Sequence, residues 1–200
     1  MTIIALPLTP APNGATPLLR DFGGVLTPFL GGPEQRINRV GTRFGIRVTM
    51  PPMESDEAGR RFVSKLLQAR QGRALMKWPQ LAFDPGATGN PLINAAVTGG
   101  SAIPIKGLPA GYAAKDGQFF SIIRAGRRYV HMFTGDGAAD GSGGLAAQIF
   151  PMLRTSLLVN DVIELAQPMI EGHVLPGEEL AWEMSLERNI GLSFSIMEAA

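Results

Sequence analysis

The sequence predicts a mainly β protein with one α-helix, in which a small β-barrel is inserted into a larger β unit. Three observations predict it. Residues 39–50, RVGTRFGIRVTM, alternate with a period of two over a dozen positions. One segment alone carries a convincing helical period. The middle of the chain changes style, to short β-rich runs punctuated by glycine.

In the 39–50 stretch, Val40, Thr42, Phe44, Ile46, Val48 and Met50 fall on one face, and Arg39, Gly41, Arg43, Gly45, Arg47 and Thr49 on the other. Side chains alternate sides along a strand, so this is a half-buried strand with an apolar core face and a row of arginines opposite it. Its interior glycines and β-branched residues disfavour a helix. Glycine weakens a strand, so its place between the arginines points to a close backbone approach. Two readings of the arginine face are open: a solvated strand face, or a contact surface for a neighbouring subunit or a polyanion.

Before this strand, Thr2 to Leu8 suits a short first strand, and Pro10 to Pro33 reads as a proline- and glycine-rich arm. The apolar Phe22, Val25, Leu26, Phe29 and Leu30 within it argue that the arm packs on something. After it, Pro51-Pro52 stops the strand. Ser55 is the expected N-cap of a helix over 56–71, with Gly72 as its stop. Ala58, Phe62, Val63, Leu66 and Ala69 form the apolar stripe of that helix. Ala74 to Trp78 reads as a strand, and Leu81 to Asn94 as a linker.

Beyond the linker, Gly117 to Arg124 and Arg127 to Thr134 form a hairpin turning at Ala125-Gly126. Residues 136–144, DGAADGSGG, are a turn-forming loop, followed by strands at Leu145 to Phe150 and Val162 to Leu165. Leu180 to Glu187 and Ile190 to Ile196 alternate again in the manner of the first unit. The expected organisation is therefore 1–88 as the first β unit, 89–170 as an inserted small β-barrel, and 171–200 as strands returning to the first unit.

Two hundred residues suffice for a real core, and 25 glycines with 16 prolines fit many short strands joined by turns. A net charge of +1 gives no global field for nucleic acid or membrane. The local distribution is polarised. From Asp161 to Ala200 the one base is Arg188, against Asp161, Glu164, Glu171, Glu178, Glu179, Glu183, Glu187 and Glu198. From Gly31 to Gln80 the bases prevail, Arg36, Arg39, Arg43 and Arg47 among them. Opposed charge of this kind suits pairing, within one subunit or between copies. The absence of cysteine fits folding in a reducing cytoplasm. The opening MTIIALPLTP lacks a basic n-region, so no signal peptide is expected, and no apolar run is long enough to span a bilayer.

No constellation for catalysis emerges. His131 and His173 lie far apart, outside any metal-ligand spacing. The 136–144 loop lacks the terminal glutamate of an EF-hand, the paired glycines form neither a dinucleotide nor a phosphate loop, and no GxSxG occurs. The expectation is no catalytic residue, no cofactor and no metal.

The segment GGPEQRINRVGTRFGIRVTMPPM with its following helix and RALMKWPQ resembles tail proteins of long-tailed bacteriophages. So do GQFFSIIRAGRRYVHMFTGDGAADGSG, IFPMLRTSLLVNDVIELAQPMIEG and the ending WEMSLERNIGLSFSIMEAA, with the nearest likeness to distal tail and minor tail proteins. The resemblance runs over most of the chain from Gly31 onward as diffuse patterns. It implies a tail-tube-like β-barrel or sandwich flanked by one helix and carrying an inserted β-barrel. It further implies a homo-oligomer, a hexameric ring in the virion tail, that contacts the tail tube protein and the hub or tip proteins. DNA would pass through the lumen, and no membrane is involved. An arginine row in the lumen would hold DNA, so the row is assigned to a subunit interface. There Arg39, Arg43 and Arg47, about 13 Å apart at four-residue intervals, would meet Glu183 and Glu187, which repeat that interval. Alternatively the two strands are neighbours inside one subunit. A tail-tip hub, a tail terminator, and a carbohydrate- or receptor-binding module in the inserted barrel are the other functional readings. The last would draw on Tyr112, Phe119, Phe120, Tyr129 and Phe133.

Overall fold

The computed structural model describes residues 2–175, 180–184 and 188–199. The chain opens with β1 (Ile3–Ala5), β2 (Gly14–Arg20), β3 (Gly24–Leu26), β4 (Gln35–Ile37), β5 (Arg43–Thr49) and β6 (Met53–Glu54). Then come α1 (Glu57–Ala69) and β7 (Arg73–Lys77). The middle holds β8 (Leu92–Ile93), β9 (Gly100–Lys106), β10 (Ala113–Ala114), β11 (Phe119–Arg124), β12 (Arg127–Phe133), β13 (Gly137–Ala138), β14 (Leu145–Leu153) and β15 (Val162–Glu164). The chain closes with β16 (Met169–Val174), β17 (Glu183–Met184), β18 (Arg188–Ile190) and β19 (Ser193–Glu198). The protein is mainly β, with one helix among the described residues and a small closed barrel.

Six strands form a sheet in the order β1-β7-β16-β19-β5-β2, drawing on both ends of the chain. β1 and β7 run parallel and the other neighbours antiparallel. Phe44, Ile46 and Val48 of β5 are buried, as the alternation requires, and they join Phe62, Leu66 and Ala69 of α1 in one core. The opposite face bears Arg43, half-buried, and Arg47, exposed. Gly45 between them is covered, since a Cβ there would lie 2.7 Å from Met197 Cε. That is the close approach expected of a glycine in a strand.

The strand is shorter than the expected dozen residues. Thr42 N donates to Arg39 O at 3.3 Å, so 39–42 turns rather than extends. Val40, expected in the core, is 51% exposed and Arg39 stands on that turn. The helix N-cap is Asp56 rather than Ser55: its carboxylate accepts the Gly59 N–H at 2.8 Å.

The expected 10–33 arm is in part a strand. β2 pairs with β5 over all of its seven residues. It tolerates Pro17 because it is an edge strand, where a missing N–H breaks no ladder. Only the continuation, β3 paired with β4, stands as a two-stranded ribbon.

The middle strands close into a barrel in the order β11-β12-β14-β9-β8-β15 around a second core that includes Phe120, Ile122, Phe133 and Ile149. The hairpin turn at Ala125 (φ 50°) and Gly126 (φ 74°) has both central residues left-handed, the geometry of a type I′ turn. In the 136–144 loop, Asp140 accepts the Ser142 and Gly144 N–H groups at 2.8 Å, and β13 pairs with β10. Those donors and the Ser142 hydroxyl hold its carboxyl below the usual range.

Two returning strands differ from expectation. β16 lies at the centre of the six-stranded sheet, where no strand was foreseen. The foreseen 180–187 strand is the short β17, paired with β18, which in turn pairs with β6 in a separate three-stranded sheet. Residues 185–187 of it lie outside the described residues.

Candidate assembly surface and buried charge seam

The four described residues of the five assigned to an interface do not form one intramolecular surface. Arg47 points outward from mid-β5, opposite Thr16 on β2 and Ser195 on β19. Arg43 lies with its guanidinium carbon 5.4 Å from the centre of the Phe22 ring, a cation–π contact. Arg39 has left the strand. Glu183 is exposed on β17, and Glu187 lies outside the described residues. The neighbours of β5 are β2 and β19, so the strand bearing Glu183 does not flank the arginine strand within the subunit. Of the two pairings open at the outset, the intramolecular one is overturned for Glu183.

The β3–β4 ribbon leaves the body at a polar anchor. Asp21 accepts from the Gly23 N–H at 2.8 Å, the Thr42 hydroxyl at 2.9 Å and Arg36 at 2.9 Å. The Gly23 and Thr42 bonds, with the Arg36 charge, hold its carboxyl below the ordinary value. Beyond this anchor the ribbon is apolar and bare: Leu26 is 55% exposed, Leu30 93% and Phe29 100%. A ring and an isobutyl group left in water cost transfer free energy that burial elsewhere would recover.

A second feature was not legible beforehand. β12 pairs with β11 along its length but with β14 only at Met132 and Phe133, so its N–H groups at 128 and 130 meet no strand. Two carboxylates reach them from the six-stranded sheet. Glu198 of β19 accepts the Val130 N–H at 2.7 Å, and Glu171 of β16 accepts the Arg128 N–H at 3.2 Å. Each carboxylate is paired as well, Glu198 with Arg154 at 2.5 Å and Glu171 with Arg73 at 2.6 Å. Burial pushes Glu198 up to about 7, against the opposing pull of Arg154 and the Val130 N–H. Beside this seam Phe44, Trp78, Phe119 and Phe150 cluster in tilted and edge-to-face contacts, with Phe119 5.0 Å from Trp78 and 5.3 Å from Phe44. Polar pairing and aromatic packing together fix the barrel on the sheet.

No family model matches the chain, and no curated protein matches it in sequence.

The histidines are held differently. His131 is buried, with Nδ1 2.9 Å from the Pro151 carbonyl, so that nitrogen carries the proton and donates. Burial lowers its pKa to about 4, leaving it neutral near pH 7. His173 is half-buried on β16 and lines a surface pocket. Among the described residues no three His, Cys, Asp or Glu side chains are grouped to hold a metal ion. No helix of the described residues is long and apolar enough to cross a membrane. The arrangement offers contact surfaces: an apolar ribbon, exposed Arg39 and Arg47, and an exposed Glu183.

Proposed function

We propose that the protein is a structural component of a bacteriophage tail, a distal tail protein whose copies form a ring joining the tail tube to the hub or tip complex. The observation that carries this reading is the β3–β4 ribbon, rigidly anchored at Asp21 and ending in the fully exposed Phe29. A ribbon of this kind gains its apolar burial from a neighbour. Exposed Arg39 and Arg47 and exposed Glu183 lie on different strands or turns of one copy, so they can meet between copies of a ring and set its register. Six copies, DNA in transit through the lumen, and contacts with tail tube and hub proteins belong to the same reading through the sequence resemblance. So does a role free of catalysis and a place in the virion tail.

The oligosaccharide-binding alternative has less support. Tyr112, Phe120 and Phe133 are buried in the barrel, Phe119 packs against Trp78, and Tyr129 lies 5.0 Å beneath the Arg154 guanidinium. The aromatic rings that would stack on a sugar are occupied.

Negative-stain electron microscopy with light scattering on the purified protein tests the proposal. Rings of uniform diameter are expected. A monodisperse monomer at micromolar concentration, unchanged by added tail tube protein, would overturn it.

A further inference from the structure

A pocket of about 490 Å³ opens where the ends of β2, β5, β16 and β19 meet the C-terminal end of α1. Arg20, Arg43, Arg70 and His173 line it, with Met197 on one wall and Glu198 as its one carboxylate. The cationic crowding is unusual for a sheet. Arg20 and Arg43 are direct cross-strand partners, and like charges so placed repel. Arg43 Nε is buried without a hydrogen-bond partner. Burial, then the guanidiniums of Arg154 and Arg20, push Arg43 below its ordinary value. The nearby carboxylate offsets this only in part, and Glu198 is also held by Arg154 at 2.5 Å.

From this geometry we infer that the pocket is a binding site for a phosphate group, held between Arg20 and Arg43 with Arg70 and His173 at its rim. Guanidinium forks match the oxygens of a phosphate, and an incoming anion replaces the Arg20–Arg43 repulsion with two attractions. The charge count favours phosphate over a single carboxylate. Three arginines converge, and a phosphate monoester brings about −1.5 to −2 charges near neutral pH. The Phe22 ring holds the Arg43 guanidinium in place from one side, which reduces the entropy lost on binding. The site lies within one subunit and goes beyond the assembly reading; it stands whether or not rings form.

The test is calorimetric titration of dilute protein with inorganic phosphate, at constant ionic strength, beside acetate and a short single-stranded DNA. Saturable phosphate binding is expected, with acetate at least tenfold weaker. Arg20→Gln, on an exposed side chain that leaves the fold intact, and Arg43→Gln should each weaken phosphate at least tenfold. Arg47→Gln, on the same strand but outside the pocket, should leave it unchanged. Competition between DNA and phosphate would place the physiological source in a nucleic-acid backbone. Phosphate binding without competition would place it in a small phosphorylated ligand. Absence of phosphate binding, equal binding of acetate, or affinity unchanged in Arg20→Gln would overturn the site.

Discussion

Glu198 on β19 accepts the Val130 N–H of the barrel at 2.7 Å, and Arg154 pairs with the same oxygen at 2.5 Å. A side chain thereby takes the place of a strand along the open edge of β12, and Glu171 repeats the device at Arg128. A buried N–H left unpaired costs about 1–3 kcal/mol, so the barrel would sit less firmly on the sheet without these two acids.

The pair should respond asymmetrically to truncation. Glu198→Ala leaves Arg154, 8% exposed at its side chain, buried with a charge it cannot shed. Arg154→Ala leaves a carboxyl that takes up a proton instead, its pKa being already about 7. Glu198→Ala should therefore cost about 3–5 kcal/mol and Arg154→Ala less. Urea denaturation at pH 8, above the Glu198 value of about 7 so that the ion pair is formed, would measure both, and equal losses would contradict the asymmetry.

Two buried groups bias stability against pH in opposite senses. Glu198 is raised from 4.5 to about 7, so its contribution is complete below 4.5 and is lost as pH rises through 7. His131 is lowered from 6.5 to about 4, so its contribution is complete above 6.5 and is lost as pH falls through 4. Between about 4.5 and 6.5 the two slopes oppose each other, at about 1.4 kcal/mol per pH unit each. The Glu198→Gln variant lacks one slope. Its stability relative to the parent should rise by about 2 kcal/mol from pH 4.5 to 6.5. Parallel pH profiles for the two proteins would refute this.

Much of the fold was legible because local pattern and tertiary environment agree. The alternation of Phe44, Ile46 and Val48, the stripe of Phe62, Val63 and Leu66, and the Ala125-Gly126 turn each encode their own structure. β2 was hidden by Pro17, which reads as a breaker unless the strand is known to be an edge. β16 was hidden because its alternation runs for only six residues and Gly172 interrupts it, although Gly172 is there to admit the Met197 carbonyl. The charge seam had no signal at all. Glu171 and Glu198 are single acids in separate strands, and the register that sets Glu198 opposite Gly172, the neighbour of Glu171, has no trace in the local pattern. Of the candidate interface, the exposure of Arg47 was readable from its phase, whereas the turn at 39–42 that removes Arg39 from the strand lies against Phe22, a neighbour distant in sequence.

The two close-packed glycines of the sheet should differ in tolerance. A Cβ at Gly172 meets the backbone carbonyl of Met197, which cannot move without breaking the β16–β19 ladder. A Cβ at Gly45 meets chiefly the flexible end of the Met197 side chain. Gly172→Ala should cost about 3 kcal/mol or fail to fold, and Gly45→Ala about 1 kcal/mol. Thermal melting of both variants decides the order.

Assembly is best tested away from Arg43. That residue stacks on Phe22 and lines the cationic pocket, so Arg43→Glu would disturb the subunit itself. Phe29 and Leu30 are free of this complication, at 100% and 93% exposure. Replacing both with serine removes apolar surface that only a neighbour can cover, and should leave the melting of the isolated subunit within about 0.5 kcal/mol. Loss of two covered side chains of this size is expected to weaken each contact by about 2–4 kcal/mol, a factor of 30 or more in its equilibrium constant. Arg47→Glu, on the exposed face of β5, should weaken it by about 1 kcal/mol or less, since exposed ion pairs contribute little. Light scattering over a concentration series separates the two contributions. The ribbon variant should remain a folded monomer where the parent forms rings, and the Arg47→Glu variant should assemble at a modestly higher concentration. Should the ribbon variant form rings as readily as the parent, the ribbon is not the assembly contact.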